Sequence, residues 1–169
     1  AITASILLYL YSWKLKGMGL PGNITIATLA SLCIIYGASI SKFKIFPYLP
    51  ALYAFSIILG REILKSIEDY EGDKANNVKT LAVLLGPRNA LIVSALVLMT
   101  VIITSPIPII AGIYGIGYMI PALIGVNLPI IVSIAMIAKS FENAWSATRV
   151  LKVSLAMGLI AFILGEIYA

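Results

Sequence analysis

Five of the seven acidic residues of this chain crowd into one short window: Glu62, Glu68, Asp69, Glu71 and Asp73, interleaved with Arg61, Lys65 and Lys74. Five acidic against three basic residues leave the window at −2, in a chain whose net charge is +5. If a helix continues through it, Arg61, Lys65, Asp69 and Asp73 recur every four residues and share one side. Gly72 and the Asn76–Asn77 pair are the expected end of that helix. Carboxylates there face the negative end of the helix macrodipole, so a positive partner is required. Lys65 supplies part of it. A hard divalent cation held by Asp69 and Asp73 is a better match, because Mg²⁺ takes carboxylate oxygens and completes its shell with water and substrate phosphate. The alternative is a solvated loop laced with salt bridges, and the charge pattern alone leaves both open. An EF-hand is excluded, since neither its glycine nor its terminal glutamate falls at the required offset.

The elements that must position these residues are apolar. The 169 residues are 61% hydrophobic and 11% charged, against roughly 25% charged in an ordinary soluble domain. Runs near the ~20 residues that cross a bilayer predict an all-α, polytopic transmembrane helical bundle forming a single domain over residues 1–169. The expected spans are Ile24–Ser41, Phe46–Leu64, Ala90–Thr104, Gly115–Ala138 and Leu151–Ile167. A partial one covers Ala1–Leu10, so the bundle has about five full spans plus one. Pro121 and Pro129 are expected to kink the fourth of the full spans. Histidine is absent, and the single cysteine, Cys33, excludes an intrachain disulfide and is expected in the core.

Alternating the loops across the membrane places Tyr11–Asn23, Ser66–Asn89 and Lys139–Lys152 on one side. With Arg61 and Lys65, at the end of the span that leads into Ser66–Asn89, that side carries 10 of the 12 basic residues, and the positive-inside rule makes it the cytoplasmic face of a multi-pass cell-membrane protein. The basic excess therefore reads as orientation and contact with anionic lipid headgroups. No basic patch with interleaved aromatics points to nucleic acid. Glu142, Trp145 and Arg149 suggest a short interfacial helix. Gly17–Gly22, GMGLPG, fits G-x-G-x-x-G formally but lacks the βαβ unit of a dinucleotide site. A turn near a phosphate-binding surface accounts for it, with Asn23 as the cap of the following helix.

With these residues in place, a resemblance becomes specific. REILKSIEDYEGD, residues 61–73, resembles the second aspartate-rich motif of the UbiA superfamily of intramembrane prenyltransferases, and most nearly that of the archaeal digeranylgeranylglyceryl phosphate synthases. Arg61, Glu62, Lys65, Glu68, Asp69, Glu71, Gly72 and Asp73 match, and Thr80-Leu81 follow at the same offset. YSWKLKGMGLPGN resembles the tyrosine–lysine loop of the same superfamily through Tyr11, Lys16, Gly22 and Asn23. Ser66 departs from the usual aspartate, Asn77 from a common glycine and Ala82 from a frequent proline.

The resemblance implies a UbiA-like bundle and an Mg²⁺-dependent transfer of an isoprenyl group from its diphosphate. Asp69 and Asp73 would hold Mg²⁺. Lys65, Arg61, Lys16 and Lys14 would meet diphosphate or an acceptor phosphate, with Tyr11, Asn23, Glu62 and Glu68 completing the substrate-binding set. The tail would lie in a groove lined by residues such as Phe55, Ile58 and Ile63. The acceptor implied is a lipid phosphate, geranylgeranylglyceryl phosphate, in archaeal membrane-lipid synthesis. An aromatic acceptor of the quinone or haem type is the second enzymatic reading, and a transporter subunit is the reading from another class. Transport sites sit near the midplane, whereas these charges gather at one surface. A first aspartate-rich motif, expected in this superfamily on earlier helices, has no counterpart here. With a start at Ala1 inside an apolar run, this makes the chain resemble the carboxy-terminal half of a longer enzyme.

Overall fold

The computed structural model describes residues 2–13, 15, 18–40 and 48–168. Lys14, Lys16, Lys42 and Lys44 lie outside the described residues. Ten α-helices follow in order among those described: α1 Ile2–Trp13, α2 Leu20–Ile40, α3 Tyr48–Glu68, α4 Tyr70–Ala75, α5 Leu81–Leu85, α6 Pro87–Thr104, α7 Ile107–Ile110, α8 Ile116–Ile120, α9 Leu128–Lys139 and α10 Ala144–Ile167. Among the described residues, four stretches are long and apolar enough to cross a bilayer: Leu20–Ile40, Pro87–Ile110, Ile116–Lys139 and Phe141–Ile167. The helix α3 is as long as α2, at 21 residues, but Arg61, Glu62, Lys65 and Glu68 make its last third polar. It is therefore the helix that delivers charge to the end of the bundle.

α3 is also the central helix, packed against α2, α6 and α10. Ile63 and Leu64 are fully buried on it, facing a core with Leu98, Ile130, Ile137 and Leu151. Close approach comes from small residues. A Cβ added to Gly60 would lie 2.6 Å from Leu98 Cγ, and the Ser94 hydroxyl donates to the Gly60 carbonyl at 2.7 Å. The Ser133 hydroxyl is shared between the Pro129 carbonyl of its own helix (2.7 Å) and the Ala147 carbonyl of α10 (3.0 Å), and Ser154 donates to the Val126 carbonyl (3.0 Å). Apolar burial drives little helix association in lipid, so small residues and interhelical hydrogen bonds take over that task.

The two prolines do distort their span. Between α8 and α9, Pro121–Asn127 winds as a wide π-type turn, because Pro121 lacks the donor for the preceding turn and Pro129 crowds the carbonyl four residues back. The widened turn leans on α10, where a Cβ on Gly125 would come within 2.6 Å of Met157. Three expectations need correction. Cys33 is exposed on the outer face of α2 rather than packed in the core, since α2 packs mainly along α3 and α1. Trp145 and Arg149 belong to the opening turns of the long α10 rather than to a separate short helix, with the guanidinium 3.6 Å over the indole. Asn23 does not cap α2, because the helix starts at Leu20 and Asn23 N–H already donates to the Gly19 carbonyl (3.0 Å).

Candidate functional site

The charged ladder starts on α3. The Arg61 guanidinium pairs with the neighbouring Glu62 carboxylate, both side chains about one-fifth exposed. This is the one ion pair among the described residues. Lys65 is exposed one turn further on. α3 formally ends at Glu68, yet the helical hydrogen bonds run on: Asp69 N–H donates to the Lys65 carbonyl (3.0 Å) and Asp73 N–H to that of Asp69 (2.8 Å). Asp69, at φ −87° and ψ 4°, bends the chain without breaking this register. Arg61, Lys65, Asp69 and Asp73 thus stay on one strip, as their spacing requires.

The stop comes at the Asn76–Asn77 pair, as expected, and not at Gly72, which sits inside α4: Asn76 caps the helix and Asn77 adopts the left-handed conformation at φ 55°. Val78 N–H returns to the Asp73 carbonyl (2.9 Å) and Asn77 N–H to that of Lys74 (3.3 Å). That pair of bonds is a Schellman termination with asparagine in the usual glycine position. The Asp73 carbonyl is thereby satisfied by backbone, which leaves its half-buried side chain available.

Ser66 has a role of its own. It is buried, donates to the Ile63 carbonyl (2.7 Å) and accepts the Ala82 N–H at 3.3 Å. Ala82 N–H is one of the donors that the start of α5 leaves without an intrahelical acceptor. Ser66 therefore ties α5 to α3 instead of extending the carboxylate ladder. Glu68 is met from α10, packed beside α3, where the Thr148 hydroxyl shares its proton between Glu68 Oε2 and the Trp145 carbonyl, each at 3.0 Å.

The other sequence motif is brought onto this one. Gly19, at φ +65°, lies so close to the α4–α5 loop that a Cβ would fall 2.2 Å from the Lys79 carbonyl oxygen and 3.0 Å from Thr80 Cα. The tyrosine-containing loop and the aspartate-rich loop therefore share one end of the bundle. Gly22 closes the first loop on itself, its Cβ position 2.4 Å from the Leu15 carbonyl oxygen and 3.7 Å from the Tyr11 ring. Tyr11 lies in the last turn of α1, outside the four spans. Burial, and after it the Glu62 carboxylate, raise its phenol above the ordinary value, so it remains a hydroxyl donor.

Three buried polar atoms around these loops have no hydrogen-bond partner among the described residues: Asn23 Nδ2, Arg61 Nε and Thr80 Oγ1. All three can donate. Unpaired buried donors are costly, and an anion would satisfy them. Among the described residues no group of three or more acidic, cysteine or histidine side chains is placed to cage a metal ion. Asp69 and Asp73, neither engaged in an ion pair, form a two-carboxylate donor set. That set suits a cation of the Mg²⁺ class, which takes one or two protein carboxylates and leaves the rest of its shell to water and phosphate.

One turn before Arg61 on α3, an apolar cavity of about 280 Å³ opens among α2, α3, α6, the wide turn and α10. Ile34, Ile57, Ile58, Leu155 and Leu159 are among its walls. Ile58 lines it as expected. Ile63 does not, being fully buried in the helix-packing core, and Phe55 is not part of the lining. Of the sequence-derived site residues, Tyr11, Asn23, Arg61, Glu62, Lys65, Glu68, Asp69 and Asp73 gather at one end of the bundle, while Lys14 and Lys16 lie outside the described residues. Gly19 and Thr148 shape the site without having been expected to, and Thr80, matched in sequence only as part of the aspartate-rich motif, adds an unpaired buried hydroxyl. The G-x-G-x-x-G match flagged Gly19 without its partner, and no local pattern marks Thr148.

Residues 1–165 match the UbiA prenyltransferase family. The chain is 38% identical to the digeranylgeranylglyceryl phosphate synthase of Methanopyrus kandleri, over 94% of this chain and 58% of that protein. It is 38% identical to the synthases of the same name from Hyperthermus butylicus (98% and 60% covered) and Thermococcus kodakarensis (99% and 60%). A solved structure of digeranylgeranylglyceryl phosphate synthase in membranes superposes with a TM-score of 0.85 at 31% identity, covering 98% of this chain and 60% of that one. The chain thus spans about three-fifths of the length of the relatives it matches.

Proposed function

The chain belongs to the UbiA prenyltransferase family, and we propose that it carries the aspartate-rich site of an Mg²⁺-dependent enzyme that transfers a geranylgeranyl group from its diphosphate to geranylgeranylglyceryl phosphate. The observation that supports this reading best is the ladder Arg61–Lys65–Asp69–Asp73 at the same end of the bundle as three unpaired buried donors, one of them Arg61's own Nε. The relatives named for this synthesis support the substrates.

In the reaction the allylic C–O bond breaks, diphosphate leaves with the electron pair, and the acceptor hydroxyl attacks the allylic carbon and passes its proton to the departing diphosphate. The difficulty is the charge that develops on the leaving group. Arg61 and Lys65 lower that charge directly. Asn23, Thr80 and Tyr11 donate hydrogen bonds to phosphate oxygens, with Lys14 and Lys16 lying between Tyr11 and Asn23 in the sequence. Asp69 and Asp73 would hold Mg²⁺, which when bound stabilises the departing diphosphate as a Lewis acid. Glu62 orients Arg61, and Glu68, fixed by Thr148, shapes the wall beside Asp69. The isoprenyl tail lies in the apolar cavity that begins one turn before Arg61, and the charged loops face the cytoplasm.

The test replaces Asp69 or Asp73 by asparagine in the membrane-embedded protein and follows Mg²⁺-dependent transfer from geranylgeranyl diphosphate. Both changes abolish transfer and leave the helical circular-dichroism signal intact. Normal turnover in both variants would sink the assignment, and transfer to an aromatic acceptor in preference to the glyceryl phosphate would replace the substrate.

A further inference from the structure

The end of the apolar cavity remote from the charged ladder is built differently from its walls. Tyr53, Tyr118 and Phe162 line it together, with ring centroids 5.8 Å apart for Tyr53–Phe162 and 5.2 Å for Tyr118–Phe162. Their positions are pinned. The Tyr53 hydroxyl donates to the Thr104 carbonyl at 2.6 Å, and the Tyr118 hydroxyl to the Ser105 carbonyl at 3.1 Å. Tyr114 backs the group, 5.9 Å from the Phe162 ring and 5.3 Å from that of Tyr118. All three lining rings are nearly buried, Phe162 at 6% and Tyr118 at 1% exposure. Asp69 follows Tyr53 by sixteen residues along α3, about 24 Å at ~1.5 Å per residue. The cavity therefore begins one turn before Arg61, on the carboxylate side, and its aromatic end lies most of a membrane's thickness from the carboxylates.

Resting on the transferase reading, we propose that Tyr53, Tyr118 and Phe162 form the stop that sets the longest isoprenyl chain this protein accepts. Aliphatic walls let a flexible tail slide, but a close-packed cluster held by two hydrogen bonds does not yield to a further isoprene unit. A chain that reaches the rings with its head on the carboxylates fits, and one that is longer must lift its diphosphate out of register. A single methylene in an apolar pocket is worth about 10- to 200-fold in selectivity, so a whole unit at the stop discriminates strongly.

The experiment offers the membrane-embedded protein a competing mixture of isoprenyl diphosphates with three, four and five isoprene units and compares kcat/KM ratios. Phe162 makes no side-chain hydrogen bond in the cluster, so Phe162→Ala opens the stop while the two tyrosines stay anchored. Gly158 lines the same cavity, and its Cβ position has only Val126 Cγ2 near it, at 3.8 Å. Gly158→Phe therefore fills the space from the side. Phe162→Ala raises the five-unit to four-unit ratio at least about tenfold, and Gly158→Phe lowers the four-unit to three-unit ratio by a similar factor. The ratios are internal to each sample, so partial loss of folded protein cancels. Ratios within about twofold of the parent in both variants, with the parent active on the four-unit chain, overturn the stop and leave the transferase reading standing. A parent that transfers none of the three chains overturns the transferase reading and the stop with it.

Discussion

Replacing Gly19 by alanine tests whether contact between the two loops builds the site. Gly19 holds φ +65°, a conformation that costs an L-residue about 1–2 kcal/mol. Sterics add to this. The new methyl would sit 2.2 Å from the Lys79 carbonyl oxygen and 3.0 Å from Thr80 Cα, and both are backbone atoms that cannot rotate away. Relief to ordinary contact requires the loops to part by roughly 1 Å, and a misplacement of that size costs about 10²-fold in rate. Thr80 and Asn23, which carry two of the unpaired donors, stand on opposite sides of this contact. The expected result is therefore a fall in kcat/KM of about two orders of magnitude, measured with geranylgeranyl diphosphate at saturating Mg²⁺, with the membrane helices intact by circular dichroism. Gly72→Ala is the control, since nothing lies within 4 Å of its Cβ position and alanine is favoured over glycine inside a helix by about 0.5–1 kcal/mol. A Gly19→Ala protein within threefold of the parent would refute the argument that loop apposition makes the site.

Thr148→Val removes the donor to Glu68 Oε2 and leaves a half-buried carboxylate short of a partner, at a cost of about 1–3 kcal/mol. The apparent thermal midpoint and kcat/KM both fall, while Thr148→Ser restores most of each; equal behaviour of valine and serine would remove Thr148 from the site. For topology, cysteines placed at Met18 and Asn76 in a Cys33→Ser background react with an impermeant maleimide from the same face, the cytoplasmic one. Both positions are exposed, and labelling from opposite faces would contradict the loop contact.

Composition and spacing alone determined that this is an apolar helical bundle and that one helix carries charge to a single end of it. The reason is local: apolar run length reports on the bilayer, and a four-residue repeat of charge reports on the face of a helix. Even Asn77 was readable as a left-handed stop, because that tolerance is a property of the asparagine side chain. Tertiary structure decided the rest. The serine at position 66 could have been a lost ligand; only its burial under Ala82 makes it the acceptor that fastens α5. Cys33 reads as core by hydropathy, yet lipid and protein are equally apolar, so sequence polarity cannot say which of the two an apolar side chain faces. The contact of Gly19 with Lys79 joins residues sixty positions apart, and that of Thr148 with Glu68 joins residues eighty apart. No periodicity within one helix encodes either, because both are set by how helices cross, and crossing follows from packing summed over every helix at once.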